Sequence, residues 1–381
     1  MRALSGRDPA TGRPLTVTIA DGRVAAIEPG AAGEPCWLTP GFVDLQVNGY
    51  GGHDLNAPGL TAETVGRLAR ALRAAGTTSF VPTIITASEA RIVAALRAVA
   101  EARAADPWLA RAIPFVHVEG PHISPQDGPR GAHAADQVRP PDVAEFVRWQ
   151  AACGGLVGMV TLSPHFPGAP AYIAALAASG VQVAIGHTHA SPEQIAAAVD
   201  AGAVLSTHLG NGAAAMLARH PNLIWAQLAE DRLGASFIAD GHHLPAETLK
   251  SMLRAKGVAR SVLISDAAAL AGMPPGIYDA EIGGMVELRE DGRLSMAGTP
   301  FLAGAARPIA CGVAFVASFC GLTLADAVRM ATENPGRFAG GRGRLRVGAP
   351  ADLVRFRWQP GERDLRIETV LVAGEEGELS S

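Results

Sequence analysis

Aromatic side chains are scarce in this chain, 5% of 381 residues, while Ala and Gly abound; we read this as a compositional bias without functional content. Cysteine is scarcer still. Cys36, Cys153, Cys311 and Cys320 lie far apart and form no C-x-x-C pair. That pattern argues against a disulfide framework or a cysteine zinc knot and points to reduced core thiols in a cytosolic protein. Neither sign of charge dominates: the formal net charge is -4, which gives no reason to expect nucleic acid or an anionic membrane as partner. No apolar run is long and unbroken enough to span a bilayer. Met1-Arg2-Ala3-Leu4 runs into Gly6, Asp8 and Pro9 without the apolar core of a signal peptide, so a cytoplasmic location is expected. Apolar bulk, by contrast, is plentiful: 48% hydrophobic against 18% charged residues, enough for a sizeable core. The length suits one large domain plus a small one.

The chain is organised around residues 181–212, VQVAIGHTHASPEQIAAAVDAGAVLSTHLGNG. Val181 to Ile185 reads as a short buried strand that stops at Gly186-His187. Ser191-Pro192-Glu193-Gln194 reads as a helix start, with Ser as N-cap, Pro at the first helical position and Gln closing a capping box. The helix ends before Gly202, and Ala203 to Thr207 is a second strand ending at His208. A βαβ unit makes these strands parallel neighbours, so His187 and His208 emerge at one carboxyl edge. A single histidine at a strand end is usually a satisfied core residue. Two at equivalent ends of consecutive strands favour metal ligation.

Taken in order, Leu15–Ala20 and Arg23–Ile27 flank Asp21-Gly22 and read as a hairpin. Strands of a repeating α/β pattern follow at Phe42–Val47, Thr78–Thr83, Ile113–Val118, Leu156–Leu162, Val181–Ile185, Ala203–Thr207, Ala235–Ala239 and Val262–Ser265. Eight strands separated mostly by helices predict an α/β fold, a (β/α)8 TIM-like barrel. The first βα turn lacks the G-x-G-x-x-G of a dinucleotide-binding sheet. Helical stretches near Pro308–Phe319 and Leu324–Arg329 close the barrel, and β-prone segments return after Gly343. We therefore expect residues 1–39 and 345–381 to build one small β-sandwich domain, and residues 40–344 the barrel.

The strand ends are unusually polar: Gln46 and Asn48 on the first, Glu119 on the third, His187 and His208 on the fifth and sixth, Asp266 on the eighth. Glu119, His187 and His208 make the donor set of an open zinc site with a fourth position left for water. Such a metal lowers that water's pKa and polarises a carbonyl. A base must then move the water's proton to the leaving amine. Asp266 is the candidate, although LISDAAAL also reads as a helix N-cap.

These residues carry a resemblance. Pro40-Gly41-Phe42-Val43-Asp44, Gln46-Val47-Asn48-Gly49, His117-Val118-Glu119-Gly120-Pro121, Gly131-Ala132-His133, Gly186-His187, Thr207-His208-Leu209-Gly210-Asn211, Ala239-Asp240-Gly241-His242-His243, Ser265-Asp266 and Ala331-Thr332-Glu333-Asn334-Pro335 occur in the order and spacing of one family. The chain resembles the amidohydrolase superfamily, and within it the N-acetylglucosamine-6-phosphate deacetylases. The resemblance implies one divalent ion per chain, Zn2+ first, with Fe2+, Mn2+ or Co2+ as alternatives, held by Glu119, His187 and His208. It implies Asp266 as general base and acid, and His133 as the group polarising the acetyl carbonyl. It implies His243 at the sugar, Asn211 and Gly212 offering N–H groups to the phosphate, and Arg219 pairing with the phosphate. In family members that arginine can arrive from a neighbouring subunit, which implies a homodimer. The expected substrate is a small amino-sugar phosphate, N-acetylglucosamine 6-phosphate, cleaved to glucosamine 6-phosphate and acetate.

Departures from the family pattern keep alternatives open. Gln46-Val47-Asn48 replaces the His-x-His of many superfamily barrels, which argues for one metal rather than two. Gly210-Asn211-Gly212-Ala213, His122 and Pro164-His165 replace residues expected to line the substrate side. The alternatives are another acylated amino sugar or a cyclic amide as substrate, and a barrel that has lost catalysis. His53, His117, His165 and His220 are expected to be structural or exposed. His189 should point away from His187, and His122 and His242 are pocket candidates.

Overall fold

The computed structural model describes residues 1–280 and 284–376. Eight parallel strands form its centre: β1 Phe42–Val47, β2 Thr77–Ile85, β3 Val116–Glu119, β4 Val157–Leu162, β5 Gln182–Ile185, β6 Ala203–Ser206, β7 Gly234–Ile238 and β8 Ser261–Ile264. They pair in chain order from β1 to β8. The seam between β8 and β1 is bridged at its carboxyl end, where Asp266 N–H donates to the Gln46 carbonyl (3.0 Å) and Asn48 N–H to that of Ala267 (2.9 Å). The barrel is thus nearly closed, and the first strand end is tied to the last.

Local chemistry sets the intervening helices. Thr61 caps Ala62–Ala74 and Ser88 caps Glu89–Ala105 by accepting from backbone N–H groups in the first turn. The Ser191–Gln194 capping box forms as expected and starts Pro192–Asp200. Around β1 to β5 the helices bury Leu68, Leu72, Ile92, Leu96, Trp149 and Ile173 in one apolar layer.

Strands from both chain ends join in one seven-stranded sheet, with Trp37–Pro40 at its centre between Arg2–Arg7 and Leu353–Arg357. The hairpin across Asp21-Gly22 is present, Pro14–Ala20 against Arg23–Pro29. Val17, Val24, Leu38, Leu353 and Leu371 pack the sheet's own core. Residues 377–381, the end of the expected small unit, lie outside the described residues.

One element was not anticipated. Between β8 and the helix Ile309–Phe319 stands a four-stranded antiparallel sheet: Gly276–Ala280, Gly284–Leu288, Arg293–Met296 and Leu302–Ala305. Asp291-Gly292 between two β-prone runs was the signal for its central hairpin. Ala268 N–H donates to the Ala305 carbonyl (2.8 Å) and anchors this sheet beside the end of β8.

Candidate active site

The carboxyl edge of the barrel opens into a cavity of about 450 Å3, within the range of small-molecule sites. Glu119, His133, His187, His208, His243 and Asp266 all line it. Its roof is the inserted sheet, which contributes Val286, Leu294 and Leu302.

Glu119 ends β3, His187 follows β5 and His208 follows β6, all buried. His208 Nε2 stands 3.0 Å from Glu119 Oε1, His187 Nε2 stands 3.4 Å from the same oxygen, and the two imidazole nitrogens are 3.1 Å apart. Ligands about 2.1 Å from a tetrahedral zinc ion stand roughly 3.4 Å from one another. The triangle is therefore close to one face of such a coordination shell. His187 Nδ1 donates to the Pro129 carbonyl (2.8 Å), which leaves Nε2 bare toward the triangle. Burial would raise the Glu119 carboxyl, but the His187 and His208 imidazoles that face it hold it well below its ordinary value. Burial would likewise lower His208, yet bonding to Glu119 raises it. The donors draw a positive charge between them, which is what a divalent ion would supply.

His133 lies on the other side of His187, its Nε2 3.2 Å from His187 Nε2. Glu119, His133 and His187 also form a group whose donor atoms lie within 4.8 Å of one another. Two bare nitrogens at 3.2 Å repel, so either His133 carries its proton at Nε2 or both rings face a cation. Burial pushes His133 down to about 3, so it is neutral and has one N–H. Its Nδ1 lies 2.7 Å from the Thr86 hydroxyl, which is 3.4 Å from the Glu119 carbonyl. A hydroxyl proton given to Nδ1 leaves the N–H at Nε2, and one given to the Glu119 carbonyl leaves it at Nδ1.

Asp266 is half-buried at the cavity wall and accepts from Asn48 Nδ2 (2.8 Å). Burial and the Glu119 charge push its carboxyl up to about 6. Gln46 Nε2 donates to Glu119 Oε1 (2.9 Å), so Gln46 steadies the carboxylate as a neutral donor. Asp240 accepts from His243 Nδ1 (2.7 Å) and fixes that ring at the cavity wall.

The backbone is strained at these strand ends. Among the described residues five non-glycines have positive φ, and three of them are His187 (46°), His208 (28°) and Asp266 (50°). Each such position costs roughly 1–3 kcal/mol and persists where function holds it. Gly212 packs on the same cluster: a Cβ there would stand 2.8 Å from His187 Nδ1, so no larger side chain fits.

Several expected contacts differ. Asn211 lines the cavity, but its backbone N–H and its Nδ2 both donate to the His208 carbonyl (2.9 and 3.2 Å), whereas the Gly212 backbone N–H has no acceptor among the described residues. Arg219 sits in the exposed loop after Gly212 and does not line its own chain's cavity. Among the described lining residues there is no Lys or Arg. His122 is not a pocket residue: it is buried under Trp149 and Tyr172, with Nδ1 on the Arg139 carbonyl (3.2 Å). His242 also turns away and meets the Asp291 carbonyl (3.1 Å). His117 is structural as expected, wedged between the Thr161 and Thr83 hydroxyls, and His189 bonds Ser124 rather than the cluster. Sequence reasoning missed Thr86, Asp240 and the roof. Thr86 carries no motif of its own, and Asp240 stood in the Ala239–His243 motif without a role; both act through their histidine neighbours.

No helix among the described residues is long and apolar enough to cross a membrane, and all four cysteines are buried and unpaired. The amidohydrolase family model matches residues 37–377. An N-acetylglucosamine-6-phosphate deacetylase of Bacillus subtilis is 32% identical over 83% of this chain and 80% of its own. An N-acetylgalactosamine-6-phosphate deacetylase of Escherichia coli O157:H7 is 32% identical over 94% of this chain and 93% of its own. The Mycobacterium smegmatis N-acetyl-D-glucosamine-6-phosphate deacetylase, solved as a mutant in complex with N-acetyl-D-glucosamine-6-phosphate, superposes with a TM-score of 0.85 at 32% identity, covering 96% of this chain and 94% of that one. Sequence and barrel agree over nearly the whole length: the chain belongs to the amidohydrolase family, as a hydrolase similar to the N-acetylhexosamine-6-phosphate deacetylases.

Proposed function

We propose that the protein removes the acetyl group from N-acetylglucosamine 6-phosphate, giving glucosamine 6-phosphate and acetate, with one divalent ion, Zn2+ first, held by Glu119, His187 and His208. The observation that carries this reading is the 3.0–3.4 Å triangle of donors facing a cavity that also holds Asp266. When bound, the ion supplies Lewis acidity toward water and the acyl oxygen. Asp266, as carboxylate, takes a proton from the attacking water and passes it to the departing amine. Its elevated pKa suits both halves of that task. His133, with its N–H at Nε2, donates to the acetyl oxygen as negative charge develops there. His243, steadied by Asp240, holds the sugar.

The cavity's own wall offers the phosphate the Gly212 N–H but no Lys or Arg among its described residues, while Asp54, Glu119 and Asp266 are acidic. A phosphate dianion there needs a cation from outside. Arg219, exposed on its loop, would meet that need by reaching into the cavity of a second copy, which makes the working form a homodimer. The relatives act on both C4 epimers, so the galactosamine analogue is the second reading.

Acetate release measured on both 6-phosphorylated sugars and their unphosphorylated forms tests the assignment. Arg219→Ala should lower kcat/KM by at least about tenfold on the phosphorylated sugars, mainly through KM, and barely change the unphosphorylated ones. Wild-type protein that prefers unphosphorylated sugar would overturn the phosphate reading. Absence of acetate release from every sugar in metal-loaded protein would overturn the deacetylase itself.

A further inference from the structure

The barrel's opposite face carries a second cavity of about 620 Å3, between the barrel's amino end and the sheet of terminal strands. Phe115, just before β3, and the loop after the helix Glu333–Phe338 form one wall, and Arg23, Pro350 and Asp352 lie on the other. Six arginines line it, Arg23, Arg103, Arg111, Arg342, Arg344 and Arg346, against the single carboxylate of Asp352. This concentration of positive charge stands in a chain whose formal net charge is -4.

Arg103 and Arg342 are held by uncharged partners. Arg103 donates to the carbonyls of Ile113 (2.9 Å) and Ala110 (3.3 Å). Arg342 donates to the Ser79 hydroxyl (3.1 Å) and to the Arg111 carbonyl. All of these acceptors are uncharged. Asp352 Oδ1 lies 3.8 Å from Arg111 and already accepts the Ala373 N–H (2.7 Å). Arg344 and Arg346 are exposed and make no ion pair among the described residues. Burial lowers the pKa of Arg103 and of Arg342; for Arg342 the Asp352 charge opposes that, while the charges of Arg111 and Arg103 add to it. Like charges gathered on one wall repel until an anion enters between them.

We propose that this cavity binds a small oligophosphate carrying three or more negative charges, either free or as the triphosphate of a nucleoside. One orthophosphate would neutralise at most about two of the six charges, and the space is that of a small-molecule site rather than a single ion. Guanidinium forks match phosphoryl oxygens in pairs, and Phe115 offers a ring at the same wall. The site lies away from the catalytic edge and does not depend on the deacetylase reading.

Isothermal titration of the holoenzyme with tripolyphosphate, ATP, orthophosphate and sulfate at matched ionic strength tests this. Glucosamine 6-phosphate is kept saturating so that the catalytic cavity is occupied. Tripolyphosphate or ATP should bind with a dissociation constant below about 0.1 mM, and orthophosphate and sulfate at least about tenfold more weakly. Tighter binding of ATP than of tripolyphosphate would assign the nucleoside form, and the reverse the free one. Arg344→Glu with Arg346→Glu should weaken binding at least about tenfold. The milder Arg344→Gln with Arg346→Gln serves if charge reversal impairs folding. Any chelation of metal by the titrant is common to wild type and variant and cancels in their difference. Equal binding of sulfate and tripolyphosphate, or variants that bind as wild type does, would overturn the proposal.

Discussion

Replacing Asp44 with Asn should change the pH dependence of stability without touching the catalytic groups. Asp44 sits in the middle of β1, fully buried, where Oδ1 accepts the N–H groups of Ser265 (3.1 Å) and Gln46 (3.3 Å) across the barrel seam. Oδ2 has no partner among the described residues. Burial pushes this carboxyl from 3.8 up to about 7. The folded state therefore holds a proton that the unfolded chain has released, and stability falls as pH rises from about 4 through 7. With those two values the penalty grows from roughly 2 kcal/mol at pH 5 to roughly 4 kcal/mol at pH 8. Asn keeps the acceptor for both N–H groups and cannot ionise, though its buried amide N–H2 costs about 1–3 kcal/mol if unpaired. Relative to wild type, Asp44→Asn should gain about 2–3 kcal/mol between pH 5 and pH 8. Urea unfolding of both proteins at the two pH values reads this, because titrations that do not feel Asp44 cancel in the comparison; Asp266, whose charge adds to the Asp44 shift, is the neighbour that does not cancel fully. The same variant-minus-wild-type difference at both pH values would refute the reasoning.

His187→Ala should remove both the ion and activity, read as metal content falling from close to one per chain toward none; unchanged metal would displace the donor set. Asp266→Asn should retain the ion and lose on the order of 10²-fold or more in kcat. In wild type, kcat/KM should fall about tenfold per unit below pH 6, because Asp266, raised to about 6, is protonated there and cannot act as base. A profile flat down to pH 4.5 would place the base elsewhere. Thr86→Val deletes the contact to His133 Nδ1 and should lower kcat roughly tenfold while metal content and KM hold, with Thr86→Ser restoring most of the rate; a fall in metal content would make His133 a ligand instead.

The barrel was legible because its signals are local and repeated. Caps at Thr61, Ser88 and Ser191, the hairpin at Asp21-Gly22 and eight short apolar strands each follow from a few neighbouring residues. The strand-end rule then brought Glu119, His187, His208 and Asp266 to one cavity, since parallel strands of similar length end on one face. The inserted sheet was not read because it interrupts the α/β alternation, and a search for the next helix passes over a single Asp-Gly turn. His122 was misplaced for another reason. The chain turns at Gly120, which has φ of 78°, and the residues after β3 run back under the helix Val143–Cys153, where aromatic rings take the imidazole. Sequence adjacency to Glu119 says nothing about that turn. Thr86, which touches His133 across 47 positions, belongs to the contacts that only the fold creates.

The first strand end explains how two carboxylates in one cavity keep different protonation habits. Glu119 receives hydrogen bonds from Gln46 and lies within reach of two imidazoles, and it is held low as a permanent anion. Asp266 receives a side-chain bond from Asn48, feels the Glu119 charge, and is held near neutrality. Gln46 and Asn48 lie two residues apart at the end of β1, so each neutral amide attends one carboxylate. Histidines at these two positions would add nitrogen ligands and favour a second ion, whose charge would pull Asp266 back toward permanent ionisation. An amide donates a hydrogen bond but brings no net charge, so the pair can orient both carboxylates while leaving one of them able to take and release a proton. The Gln-x-Asn spacing thus separates the group suited to holding a metal from the group suited to moving protons, and it does so by the choice of two uncharged side chains.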